Sequence, residues 1–181
     1  MDHAVARSVA IASRDPGCAS KSILIAGVGY GNLRDLSLGP LLVERLRRRA
    51  WPEGVVVEDL SFGAVAALHW LQAHAPFDAA VFLAGVPRGR PPGSIHRYEW
   101  APEPVATAEL HARVAEGVTG VIDLEALLAV AGAFAALPRR VLVIEVEPRD
   151  REWGPALSPG VETAAAEIEA LLPGVVEELL A

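Results

Sequence analysis

A mostly parallel, twisted β-sheet between two layers of helices, a three-layer αβα sandwich, is the fold that this 181-residue sequence predicts. Three observations carry the prediction. Short apolar, largely β-branched runs at 22–29, 55–60, 79–84 and 141–146 read as strands buried on both faces. Alanine- and leucine-rich segments with helical spacing fall between them. Strand and helix therefore alternate, the pattern of right-handed crossovers in a parallel sheet.

Each element has its own reason. After the first strand, Gly27, Gly29 and Gly31 allow a tight turn, and Leu38, Leu41, Leu42 and Leu46 recur at helical spacing through to Arg49. Trp51-Pro52-Glu53-Gly54 stops that helix. The strand Val55–Leu60 leads to a helix over Ala64–Ala75, which Pro76-Phe77-Asp78 ends before the third strand. Pro87 to Gly93 is a proline- and glycine-rich loop that no helix tolerates. Ser94–Trp100 alternates apolar and polar residues, which predicts a strand at an edge of the sheet, free to run antiparallel. Pro102 and Pro104 end it. A helix follows over Leu124–Ala136 with Asp123 as its N-cap, then the strand Val141–Val146, a polar loop from Glu147 to Gly160, and a last helix over 161–180.

Composition narrows the function. The length predicts one domain over 22–181, preceded by a frayed tail over 1–21. Hydrophobic residues make up 52% of the chain and the mean hydropathy is +0.32, yet charged residues or prolines interrupt every apolar run before the roughly 20 residues that span a bilayer. The first 20 residues lack the continuous apolar core of a secretory signal. The lone Cys18 has no disulfide partner within the chain and fits a reducing cytoplasm. A net charge of −7 argues against a nucleic-acid partner. Arg45 and Arg47–Arg49 sit where cations complement the C-terminal end of the first helix.

The glycine turn invites a dinucleotide reading that its spacing does not support. A phosphate cradle wants glycines at the first, third and sixth places and an acid about 20 residues on. Here they fall at the first, third and fifth, the sixth is Asn32, and Asp59 follows Gly27 by 32 residues.

The segments Ile25-Ala-Gly-Val-Gly29 with Leu33-Arg34 and Gly39-Pro40, Phe77–Phe82 with Pro92–Arg97, and Leu137–Pro148 with Trp153–Pro159 occur in that order across 22–180. Together they resemble the hydrogenase maturation proteases, HyaD/HybD-like nickel-dependent endopeptidases that trim the C-terminus of the large subunit of nickel-iron hydrogenases. The resemblance implies the phosphorylase/hydrolase-like sandwich. It also implies a nickel site built from an acid at the start of the first helix, an aspartate ending the third strand and a histidine before the penultimate helix.

At the matching places this sequence has Asp35 followed by Leu36 where the ligand is expected, Gly85 in place of the aspartate, and no histidine in Glu116–Ile122. Leucine and glycine side chains offer no lone pair. The expectation is a chain without catalytic or metal-ligating residues, whose cleft is formed by Asp35, Leu36, Asp59 and Gly85, with Gly85 opening space for a peptide. Asp35 itself reads most simply as a helix cap.

Other candidates are weaker. Asp59, Glu58 and Glu147 fall near strand ends; His69 and His74 lie five apart on one helix, a poor spacing for a shared ligand face. His96 falls on the alternating strand and His111 in an exposed helical turn. Ser61 and Ser158 have no histidine tied to them, and Ser158-Pro159 suits a helix start. The leading expectation is a binding or assembly factor in nickel-iron hydrogenase maturation, with the large subunit or its maturation factors as partner. An endopeptidase with a rearranged site, and a small-molecule-binding α/β domain, are the alternatives.

Overall fold

The computed structural model describes residues 21–74, 76–102, 106–118 and 121–181. The elements, in order, are β1 (Ile23–Val28), a 3-10 turn (Arg34–Ser37), α1 (Leu38–Leu46), β2 (Val55–Asp59), α2 (Ala64–His74), β3 (Ala79–Gly85), β4 (Ile95–Trp100), α3 (Thr107–Val118), α4 (Leu124–Ala133), β5 (Arg140–Val146) and α5 (Pro159–Leu180). The five strands form one sheet in the order β2-β1-β3-β5-β4. All pairings are parallel except that of β4, which runs antiparallel along β5 at the edge. The mixed αβα fold expected from the sequence is the one observed.

Alternate residues of each central strand feed two separate cores. Ile23, Ile25, Val81, Leu83, Leu142 and Ile144 face α1 and α5, while Leu24, Ala26, Ala80, Phe82 and Val143 face α2 and α4. This two-sided burial is why the strands read as continuous apolar runs. The glycine turn serves the same packing. A Cβ on Gly27 would stand 2.6 Å from both the Gly39 carbonyl carbon and Val43 Cγ2, so the pair Gly27 and Gly39 lets α1 lie directly on β1.

Several boundaries differ from expectation. Helix α1 stops at Leu46, and its arginines do more than complement a dipole: Arg45 reaches Glu162 and Glu169 of α5, and Arg47 pairs with Glu58 of β2. Helix α4 ends three residues early because Ala135 takes a left-handed conformation, φ 52°. Asp123 caps it as expected, its carboxylate accepting from Ala126 N at 2.7 Å. Helix α3 forms where the sequence suggested one exposed turn around His111. The expected tail, save Lys21, and with it Cys18, lies outside the described residues, as do Ala75 and part of the Glu116–Ile122 segment.

Candidate binding cleft at the carboxyl end of the sheet

In open α/β sheets ligands bind beyond the carboxyl ends of the strands. Here that end is closed by Asp35. Its side chain, 0% exposed, accepts hydrogen bonds from Arg149 N (2.9 Å), Asp150 N (2.8 Å), Ser158 N (2.6 Å) and Ser158 Oγ (2.8 Å). Neither the 3-10 turn nor α1 receives a side-chain cap, so Asp35 is not the helix cap expected of it. It instead ties the β1–α1 turn to the β5–α5 loop and to the N-cap of α5. Ser158 is the N-cap residue of α5, with Pro159 next, but its hydroxyl serves Asp35 rather than the helix. Burial alone would push the Asp35 carboxyl up; the bonds from Ser158, Asp150 and Arg149 outweigh it and hold the group below the ordinary aspartate value.

The two loops are laced further by backbone bonds. Arg34 N donates to Gly154 O (2.9 Å), Gly154 N to Asn32 O (2.8 Å) and Asp35 N to Asp150 O (3.1 Å). Asn32 and Arg34 take positive φ of 59° and 44° to make this turn, and Arg34 Nε pairs with Asp150 at 3.2 Å. Positive φ at an arginine costs energy that the surrounding bonds must offset.

Gly85 opens no space, contrary to expectation. A Cβ there would fall far inside contact distance of the Asp35 carbonyl oxygen and 3.3 Å from its carbon, so β3 ends directly against the 3-10 turn. Leu36 is half-buried, and its backbone is engaged: the carbonyl accepts from Tyr30 N (2.9 Å) and the amide donates to Leu33 O (3.0 Å). Asp59 ends β2, which is separated from β3 by β1, a span of about 10 Å across the sheet. Its carboxylate accepts from Ser61 N at 2.9 Å and shapes the β2–α2 turn. The four expected cleft residues thus fall at one end of the sheet, but Asp35 and Gly85 fill it rather than line it.

The sequence reading missed a buried polar cluster on the neighbouring strands. Glu145 of β5, 1% exposed, accepts from Arg88 Nη2 (2.7 Å), Arg90 Nη2 (2.6 Å) and Tyr98 Oη (2.9 Å). Glu147, also buried, accepts from the backbone amides of Arg88 (2.8 Å) and Gly89 (3.1 Å). Arg88 bridges on to Glu125 of α4. Burial would raise the Glu145 carboxyl; Arg88, Arg90 and Tyr98 bring it below the ordinary value. Burial and the bond to Glu145 push the Tyr98 phenol up to about 12. A carboxylate this well satisfied and a phenol this hard to ionise make neither a general base nor a nucleophile; the cluster fastens the Pro87–Gly93 loop to the sheet. The one signal in the sequence was a glutamate interrupting an apolar strand.

The described histidines stay apart from both clusters or on their rim. His69, His74 and His111 are exposed on helices, His74 stacked on Trp70 with ring centres 4.1 Å apart. His96 leans against Tyr98 at 5.3 Å. Among the described residues no three of His, Cys, Asp and Glu converge so as to hold a metal ion. At the described places where the resemblance implies its ligands, the residues present do not suit a nickel ion. Asp35 has both oxygens committed to four donors, and position 85 has no room for an aspartate without moving the turn.

A five-stranded mixed sheet of this order, closed at its carboxyl end by the β5–α5 loop, is an α/β fold, and the solved structures that match it include hydrogenase maturation proteases. No protein-family model matches the sequence, and no curated protein does. Solved structures match over most of the chain. A hydrogenase 2 maturation peptidase from a Thaumarchaeota archaeon is 26% identical, with a TM-score of 0.59 over 86% of this chain and 98% of that one. The hydrogenase maturating endopeptidase HybD of E. coli is 23% identical, TM-score 0.60, over 87% and 93%. The [NiFe] hydrogenase maturation protease HycI of Thermococcus kodakarensis is 15% identical, TM-score 0.55, over 88% and 92%. The fold that the resemblance implied is the one these structures share with the chain, at identities of 15–26%.

Proposed function

We propose that this chain is a non-catalytic relative of the maturation proteases, acting in the cytoplasm as a binding or assembly factor in nickel-iron hydrogenase maturation. Its partner on this reading is a hydrogenase large subunit or one of its maturation factors. The observation that carries the reading is the use made of Asp35. The one acid left at the expected site is spent on four hydrogen bonds within the protein, and β3 ends in a glycine that the turn backbone occupies. Withdrawing the Asp35 carboxylate to coordinate a cation would leave three backbone amides and a hydroxyl without their acceptor, at a cost of about 1–3 kcal/mol each.

The test combines two measurements. Purified protein incubated with nickel and desalted is expected to retain well under one equivalent by elemental analysis. A precursor form of a hydrogenase large subunit is expected to remain full length when mixed with the chain, with or without nickel, while binding it in a pull-down. Stoichiometric nickel that disappears in Asp35→Asn, together with nickel-dependent cleavage, would establish the endopeptidase reading instead.

A further inference from the structure

Helix α5 carries a proline where its hydrogen-bond ladder should continue. Pro173 lies inside the Pro159–Leu180 span, with Gly174 next to it. A proline has no N–H to give, and its ring crowds the carbonyl four residues back. The Glu169 carbonyl therefore has no donor from position 173.

A donor comes instead from the turn after α1. Arg49 gives its Nη1 to the Glu169 carbonyl at 3.2 Å. The guanidinium is positioned for this, lying over the Trp51 indole at 5.5 Å from the ring centre. Trp51 is itself fixed, because its Nε1 donates to Leu46 O at 2.9 Å and its ring packs on the core between the sheet, α1 and α5. One helical turn before Arg49, Arg45 pairs with the carboxylate of the same glutamate at 3.1 Å. Both polar ends of Glu169 are thus held from α1 and the turn that follows it.

Beyond the proline, α5 changes character. Gly174 is exposed, and a Cβ there would meet nothing within 4 Å, so no side chain stiffens the backbone at this point. Val175, Val176 and Leu179 then enter the core. The far end is fastened by Glu178, whose carboxylate accepts from Arg97 of β4 (2.9 Å) and from Arg140 of β5 (2.5 Å). These three side chains are between 42% and 47% exposed, and ion pairs so exposed hold weakly.

We propose that α5 is a helix in two segments, that the segment after Pro173 opens from the core as a unit about the Pro173–Gly174 pair, and that Arg49 is the latch that keeps it shut. With the guanidinium on the Glu169 carbonyl, the second segment stays in line with the first and its three apolar side chains stay buried. With the latch released, the bare carbonyl turns toward water and the helix bends at the proline. Opening separates Glu178 from Arg97 and Arg140 and uncovers the core beneath Val175, Val176 and Leu179. This device lies at the end of β5 opposite the joint around Asp35, and it stands whatever that joint binds.

The test is amide hydrogen exchange of the full-length chain, read by mass spectrometry on peptic fragments covering 161–169 and 174–181. The second segment is expected to exchange about tenfold or more faster than the first, as a locally opening unit does. Arg49→Ala is expected to speed exchange over 174–181 by a further factor of about two to ten, the worth of one hydrogen bond, and to leave 161–169 unchanged. Pro173→Ala returns an N–H to the ladder and is expected to slow exchange of the second segment at least about tenfold. In that background Arg49→Ala is expected to change nothing, because the carbonyl already has its donor. Arg48→Ala, an exposed neighbour in the same turn, is expected to exchange as the parent does. Equal exchange of the two segments in the parent overturns the hinge. An Arg49→Ala effect that is absent, or that is the same with and without Pro173, overturns the latch and reduces the second segment to an ordinary fraying helix end.

Discussion

The carboxyl end of the sheet and the outer side of β4 make opposite use of their polar groups. Around Asp35 the donors are consumed: three amides and a hydroxyl converge on one buried carboxylate, and the backbone of the 3-10 turn fills the place where β3 ends. Along β4, among the described residues, a row of backbone groups has no strand partner, and about 680 Å³ of space borders Tyr98 and Trp100. Proteins of this architecture place ligands at the first location, and this one has turned it into a joint. What remains open, among the described residues, is the edge of the sheet.

The largest effect is expected from restoring the acid that the resemblance implies at the end of β3. Gly85→Asp drives a Cβ into the Asp35 carbonyl and buries a second carboxylate beside the first. Overpacking and an uncompensated charge together are expected to cost at least about 4 kcal/mol, read as a fall in the urea midpoint. A Gly85→Asp protein of parental stability that takes up nickel would show that the joint is soft, and the contrast between the two regions would fail.

Asp35→Asn comes next. An amide presents donors to donors, and the loss of charge-assisted bonds is expected to cost about 3 kcal/mol at neutral pH. The pH dependence has a fixed sign. Asp35 titrates below its ordinary value of 3.8 in the folded protein, so the unfolded chain binds the proton first as pH falls. The stabilisation is whole above 3.8 and is lost as pH drops through the folded value. The gap in stability between parent and Asp35→Asn is therefore expected to narrow in acid and stay flat from pH 5 upward. A gap that instead changes around neutral pH would assign the stabilisation to another group.

How far the sequence reveals these features depends on the range of the interactions. The strands and their order along the chain were readable because burial on both faces writes a local signature, and the alternation in Ser94–Trp100 marked the edge strand correctly. Helix α3 was underread because it is polar and carries Gly117, so its pattern is weak until it packs on α2 and α4. The role of Asp35 was not readable at all. Its partners lie 114 to 123 residues away, and a lone acid before a helix looks locally like a cap. Gly85 was misread for a related reason: a glycine in sequence does not say whether its missing side chain leaves a gap or admits another backbone. The arginines of the Pro87–Gly93 loop were invisible in the same way, since Glu145 lies 55 and 57 residues on.

Glu145→Gln sharpens the comparison from the border between the two regions. It leaves Arg88 and Arg90 short of an anion on a strand facing the sheet interior, and a loss of about 2 kcal/mol is expected. Tyr98 gives a readout that stability alone would not. Its phenol is held near 12 by burial and by the carboxylate. With the charge gone, ultraviolet titration of the chain's two tyrosines should show one tyrosinate forming at lower pH than in the parent. An unchanged titration would mean that burial alone sets the Tyr98 value.

The smallest effect is expected at Gly132, and it tests the space beside β4 rather than the joint. Alanine is favoured over glycine inside a helix by about 1 kcal/mol, yet a Cβ at this position meets the Trp100 indole at 2.6 Å. The contact is with the far end of a side chain that borders open space, so the ring can swing outward instead of straining the helix. The two terms oppose each other, and Gly132→Ala is expected to change stability by less than about 1 kcal/mol in either direction. The tryptophan should move all the same. Trp100 swung into the open space beside it would alter the near-ultraviolet circular dichroism while the urea midpoint stays nearly fixed. A large loss of stability would instead show that Trp100 is clamped on both faces.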